Sequence, residues 1–315
     1  MARHFSVLIL LFSCACFSQK YGAKVAFAIE TYAFIKGQNA ALKEEAQQSP
    51  HLKPKVSAAE KDLKSGVGRT GKNLKQFLKE ELSRQQIDSL HIHLDSLLNL
   101  QLANPIEKEQ YAHDFLLKVK ERSNYRNNAM LPKGILSFKY HDAPHQEITD
   151  GHVAVFSSEN HPKADNIAIK IPVPKSWLAQ EAEMPETIQQ FTSCHGNGIE
   201  KILIVVYDLP EELHAIQLNE KSVSTFLSPQ TKLIRTEAMI IDDTPGLMIE
   251  VEESINYQNE SMKVRMLQFM FLDQQKLYCL QGSIGPADQD EDLGIQIKKY
   301  EPLFRLVASR TELEN

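Results

Sequence analysis

Apolar residues are spaced in three different ways along this chain. An unbroken run, Phe5 to Phe17, follows the short positive start Met1-Ala-Arg-His4. From Lys24 onward the spacing is helical. Val25, Ile29, Tyr32 and Ile35 define one face of a helix reaching Gln48, closed by Pro50 and Pro54. Leu74, Phe77, Leu78 and Leu82 repeat the pattern, as do Ile87, Leu90, His91, Leu94 and Leu98. Asn104-Pro-Ile-Glu107 has the residues of a helix start, a capping Asn followed by Pro at the first helical position. Tyr111, Phe115 and Val119 then line a stripe that ends near Arg122. The expectation is three or four amphipathic helices whose stripes must be buried.

Beyond Pro132 and Gly134 the period changes. Val153 to Phe156 is a short strand inside a polar connector. Ile167, Ile169 and Ile171 alternate as a strand does, and Thr187 to Ser193 can extend. Ile202 to Tyr207 is continuously apolar, as in a central strand covered on both faces. Leu218 to Leu227 reads as a helix stopped by Pro229. Leu233 to Ile241 and Leu247 to Ile255 are strands joined by a turn, Asp242-Asp-Thr-Pro-Gly246. Val264 to Leu272 and Leu277 to Gly282 flank the polar turn Asp273-Gln-Gln-Lys276, too short for anything but an antiparallel hairpin. Leu293, Ile297, Tyr300, Phe304 and Val307 line a final amphipathic helix. The fold class is therefore α+β: a helical N-terminal unit, then an antiparallel sheet flanked by helices. The divisions are 1–18, 19–130, a connector at 131–163, and an α+β domain at 164–315.

The first division is an export signal. Its apolar stretch is too short to span a bilayer, and Cys16 and Ser18 are small residues at −3 and −1 before Gln19. Leu11-Phe-Ser-Cys14 resembles a bacterial lipobox, so lipidation at Cys14 or Cys16 is the route by which the protein would join a membrane. The exported chain keeps Cys194 and Cys279, which either pair or remain two small buried residues.

Charge separates the two halves. Residues 20–130 hold 18 Lys and Arg against 13 Asp and Glu, whereas residues 131–315 hold 16 against 28. The basic excess is interspersed with Glu along the chain, which argues against nucleic acid. With 42% hydrophobic and 24% charged residues, disordered and collagen-like classes are excluded.

Five motifs carry candidate chemistry. Gly66-Val-Gly68-Arg-Thr-Gly71-Lys72 matches most of a phosphate-binding loop, but polar, helix-like residues precede it where a strand is required, and Asn73 replaces the magnesium-binding Ser or Thr. The expectation is no nucleotide, and a glycine-rich turn between helices with Gly66 as a C-cap. His91 and His93 point about 200° apart on a helix and cannot share a metal. His141, His145, His152 and His161 lie beside Asp142, Glu147 and Asp150, donors suited to zinc at a spacing that matches no compact ligand pattern. Cys194-His195 juxtaposes a nucleophile and a base in sequence only. Asp288, Asp290, Glu291 and Asp292 lack the positions of a calcium loop. There is no G-x-S-x-G and no H-E-x-x-H, and no cofactor is implied.

The order of segments in the second half is similar to PsbP-like domains. Ile169-Lys-Ile-Pro172 followed by Trp177 resembles their opening strand. Thr244-Pro-Gly246, the run Arg265 to Phe271, the run Lys276 to Leu280 and the last helix resemble the rest. That group includes photosystem extrinsic subunits, Mog-type Ran binders and DcrB-like envelope proteins. The resemblance implies a sheet sandwiched by helices and a binding or assembly role without catalysis, with a protein partner in the envelope, periplasmic or secreted. The competing reading is a metal-dependent or Cys–His enzyme built on residues 141–195.

Processing gives the first test. Mass spectrometry of the exported protein should place its start near Gln19; an intact Met1 or an acylated Cys16 would contradict the assignment.

Overall fold

The computed structural model describes residues 21–103, 106, 109–123, 130–164, 167–182, 184–224, 227–257 and 260–313. The segment read as an export signal, with Cys14 and Cys16, and the helix start expected at Asn104, Pro105 and Glu107, lie outside the described residues. The chain forms two compact units, divided between Asp142 and Ala143.

The first unit is helical. Helix α1 (Ala23–Gln48) is followed by a short turn at Pro50–Leu52 and then by α2 (Lys53–Glu81). Pro54 sits in the first turn of α2, where its missing N–H is not needed; it starts this helix rather than ending the previous one. Ser83 caps α3 (Arg84–Leu102) by accepting from the Gln86 amide, and the Gln86 side chain returns the bond to the Ser83 amide. Helices α4 (Glu109–Ser123) and α5 (Met130–Lys139) complete the unit. On α4 the buried face is Ala112, Leu116, Val119 and Ser123, rotated from the expected Tyr111–Phe115 stripe; Tyr111 is exposed.

Two expectations fail here. Residues 131–163 are not a connector: 130–139 form α5 within the first unit, and the remainder from Ala143 belongs to the second. Residues 66–72 are not a turn: they lie in mid-α2, where Val67, Thr70 and Leu74 are buried anchors that override the glycines' low helix propensity. Gly66 serves close approach instead, since a Cβ there would meet the Ser123 carbonyl oxygen of α4 at 2.6 Å. Thr70 donates to the Ile135 carbonyl and Asn73 to that of Phe138, tying α2 to α5. The amides of a phosphate loop are thus the interior amides of a helix.

The second unit opens with a one-turn helix, α6 (His145–Thr149), and contains two antiparallel sheets. Strand β2 (Ile169–Pro174) lies between β1 (Val153–Ser157) and β10 (Glu312–Leu313). The larger sheet has the order β3-β4-β5-β9-β8-β7-β6. Its members are β3 (Leu178–Gln180), β4 (Thr187–Thr192), β5 (Glu200–Asp208), β6 (Thr231–Ile241), β7 (Thr244–Tyr257), β8 (Glu260–Asp273) and β9 (Lys276–Asp288).

Strands β6 to β9 form a meander. Its β6–β7 and β8–β9 hairpins turn on two residues each, Asp242-Asp243 and Gln274-Gln275, all four with positive φ. That is the geometry a two-residue turn needs to match strand twist. The first turn is shorter than expected: Thr244 pairs with Ile241, and Pro245 and Gly246 lie within β7. Strand β6 closes the edge, with a bulge between Leu233 and Arg235. Arg235 bonds Glu250 of β7 and Glu301 of the last helix, α8 (Leu293–Ser309). Arg305, also of α8, bonds Glu237 of β6.

Both faces of the sheet are apolar and covered. On one, Ile202, Ile204, Leu267, Phe269, Phe271 and Leu280 pack with Ile297, Tyr300, Phe304 and Val307 of α8. On the other, Leu203, Val205, Ile249, Val251, Met266, Met270 and Cys279 pack with Leu209, Leu213, Ile216, Leu218, Val223 and Leu227. That covering segment is not the helix expected at 218–227. Asn219 caps a single turn, α7 (Glu220–Val223), and apart from a 3-10 turn at Glu211–Leu213 the other described residues of the segment are irregular.

The register places Phe269 opposite Leu280 beneath α8, 1% exposed. Phe269→Ala should therefore cost about 3–5 kcal/mol in a urea unfolding curve, and truncation before Leu293 should expose this face and yield aggregates. A soluble, cooperatively folding truncation would disprove the packing.

Candidate functional site

The most unusual backbone of the second unit follows β4. Cys194 (φ 50°, ψ 41°), His195 (φ 53°, ψ 44°) and Gly196 (φ 89°) are successive residues in the left-handed region. Residues with a Cβ disfavour it by roughly 1–2 kcal/mol each. Bonds from the Asn197 amide to the Cys194 carbonyl and from the Gly198 amide to the Ser193 carbonyl close the turn. The Asn197 side chain donates to the carbonyls of both Cys194 and His195. The His195 amide donates to the Ser176 carbonyl at 2.8 Å.

Two buried carboxylates bracket this turn. Glu200, at the start of β5, accepts a short hydrogen bond from the Ser193 hydroxyl. Glu147, on α6, accepts from the Ser176 amide and hydroxyl, each at 2.7 Å. Ser176 in turn holds the His195 amide. All four residues are 2% exposed or less. Tyr300 of α8 is hydrogen-bonded to Glu200, and its ring lies edge-on to Trp177 at 6.4 Å. Burial, together with the nearby charges of Glu200, Cys194 and Glu147, pushes the Tyr300 phenol well above its usual range. Four parts of the chain therefore meet at one set of buried polar groups: α6, the Ser176–Trp177 segment, β4–β5 and α8.

Chemically this is an anchoring cluster. A reactive cysteine needs positive charge nearby to hold its thiolate. Cys194 is buried, and the charges shared with it around Tyr300 are carboxylates. Cys279 lies in the core on the other face of the sheet, where burial pushes its thiol up to about 12. Both are free thiols. The pairing between them is not formed, because Cys194 belongs to the turn after β4 whereas Cys279 projects from β9 into the second core.

The histidines are dispersed. His141 belongs to the first unit, its ring 5.2 Å from that of Phe77 and 6.1 Å from that of Phe138. His145 is on α6, and His152 follows it, its amide bonded to the Glu147 carbonyl. The His161 ring lies against Phe156, and its Nδ1 accepts from the Lys163 amide. Among the described residues no group of three His, Cys, Asp or Glu side chains could hold a metal ion. His91 is exposed, with its ring 6.3 Å from that of Tyr32.

No protein-family model and no curated protein matches the chain. Solved structures do. PsbP (CyanoP) from Synechocystis sp. PCC 6803 is 15% identical, covering 52% of this chain and 93% of its own, with a TM-score of 0.37. LpqN, involved in cell envelope biogenesis of Mycobacterium tuberculosis, is 13% identical over 55% of this chain and 98% of its own, TM-score 0.32. PA94 from Pseudomonas aeruginosa, of unknown function, is 12% identical over 51% and 96%, TM-score 0.28. A PsbP protein, of the group that the second half of the sequence resembles, is thus among the similar structures.

The bracketed turn has little room. A Cβ on Gly198 would lie 1.8 Å from the Ser193 Oγ and 2.6 Å from a Glu200 oxygen. Gly198→Ala should destabilise the protein by roughly 1–3 kcal/mol, as overpacking does. Unchanged thermal and urea midpoints would show that the Ser193–Glu200 bond is not held as described.

Proposed function

We propose that this is an exported binding or assembly protein of the cell envelope that works without a catalytic centre. One observation carries the non-catalytic half of this reading. Where a thiol, an imidazole and acids adjoin in the fold, both carboxylates are bonded to the serine hydroxyls that brace a strained turn, and the thiol is buried beside carboxylates. Export rests on the pattern of residues 1–18; among the described residues no helix is both long and apolar enough to cross a membrane. The binding role follows from the first half: a fold that spends its buried polar groups on its own backbone has only its surface to offer.

Iodoacetamide labelling of the folded protein at neutral pH tests the chemistry. Cys194 and Cys279 should react far more slowly than free cysteine and become fully reactive only on unfolding. Rapid labelling of Cys194 alone would restore the Cys–His enzyme reading. Cell fractionation tests the location, with the processed chain expected outside the cytoplasm and full-length chain in the cytosol contradicting export.

A further inference from the structure

Helix α2 carries a feature hidden when its charges are counted along the chain. At 100° per residue, Lys53, Lys61, Lys64, Lys72, Lys75 and Lys79 fall within one arc of about 100°. The other residues in that arc are Pro54 in the first turn, Ser57, Gly68 and Gly71. Glu60, Asp62, Glu80 and Glu81 all lie outside it. The buried anchors Val56, Leu63, Val67 and Leu74 point to a different side. All six lysines are exposed, and none forms an ion pair or side-chain hydrogen bond among the described residues. Arg69, outside the arc, is instead paired with Asp142.

The stripe extends from Lys53 to Lys79, about 39 Å at 1.5 Å per residue. A Cβ placed on Gly68 or Gly71 would meet nothing within 4 Å, so the middle of the stripe is low and open. These are the glycines of the apparent phosphate-loop motif. With Gly66 used for packing, the other two leave a flat surface between lysines.

From this geometry we infer that α2 is an adsorption surface for anionic phospholipid headgroups. Charge complementarity specifies an anionic occupant, and the residue types narrow it. Protein interfaces are depleted of lysine at their centres and anchored by aromatic residues and arginine, none of which lies in this arc. Single-stranded nucleic acid is held on aromatic rings, also absent from the arc. Hydrated point charges on long flexible stems, in a straight row without an apolar anchor, suit a diffuse, laterally mobile array of negative charge. The contact is peripheral, and it needs no acyl group on Cys14 or Cys16.

The experiment is sedimentation of the chain beginning at Gln19 with vesicles of phosphatidylcholine, with or without phosphatidylglycerol. Binding should require phosphatidylglycerol and disappear as salt screens the exposed charges. Replacing Lys61, Lys64, Lys72 and Lys75 with Gln should weaken partition by roughly a hundredfold or more, at about fivefold per lysine. A control with the same charge change elsewhere, Lys43, Lys55, Lys118 and Lys232 to Gln, should lose far less, and circular dichroism should show both variants folded. The inference is overturned by failure to bind phosphatidylglycerol vesicles at low salt, by equal losses in the two variants, or by equal binding to pure phosphatidylcholine. It is also overturned by tighter stripe-dependent binding to a double-stranded oligonucleotide than to the vesicles.

Discussion

Strands with apolar side chains on both sides cannot lie on a surface, and that constraint organises the second unit. Ile202, Leu203, Ile204 and Val205 of β5 are all buried, the first and third towards α8 and the others towards the segment after Leu209. The same alternation runs through β8, with Leu267, Phe269 and Phe271 on one side and Met266 and Met270 on the other. A sheet of this kind needs two covers. Helix α8 supplies a regular one, and residues 209–227 supply an irregular one whose apolar side chains fall where the sheet needs them rather than at a helical period.

The polar cluster solves a related problem. Helix α8 must be held at a fixed depth on the sheet, and Tyr300 brings it to Glu200 while Trp177 packs against its ring. Backbone strain at Cys194 and His195 is the cost of turning β4 into β5 within a few residues while aiming Ser193 at Glu200. Strained residues persist only where their surroundings over-determine them, and here amide, carboxamide and hydroxyl bonds all converge on the turn.

The sheet was readable because its signals are local. Alternation in residues 264–272, the unbroken apolar run at 202–207 and the period of the last helix each lie within one short window. The hairpin at Asp273–Lys276 was readable from the shortness of its polar turn, which the pairing of Asp273 with Lys276 tightens to Gln274-Gln275. The left-handed turn was not, since neither Cys nor His favours such angles and the bonds enforcing them come from Ser176 and Asn197. Glu147 and Ser176 are 29 residues apart, a distance no motif spans. Glycine misled at 66–72, because its usual meaning is a turn and here Val67, Thr70 and Leu74 outvote it. The lysine row was invisible for a geometric reason: its members are spread over 27 residues and interrupted by Glu60 and Asp62 in sequence, but share one acid-free arc around the helix.

The topology of the larger sheet also sets an order of events during folding. Within the meander, strands β6 to β9 pair with their sequence neighbours, so each of those contacts closes a short loop. Strand β5 pairs with β9, and even the nearer end of that pairing joins Asp208 to Lys276, 68 residues apart. The entropy of closing so long a loop is recovered only when a formed β9 is there to receive β5. Contact order therefore favours pairing within the meander before β5 docks, bringing with it β4, the strained turn and Glu200. Until β5 docks, the free edge of β9 and both apolar faces stand open, and it is in this interval that the chain has most need of protection from its own copies.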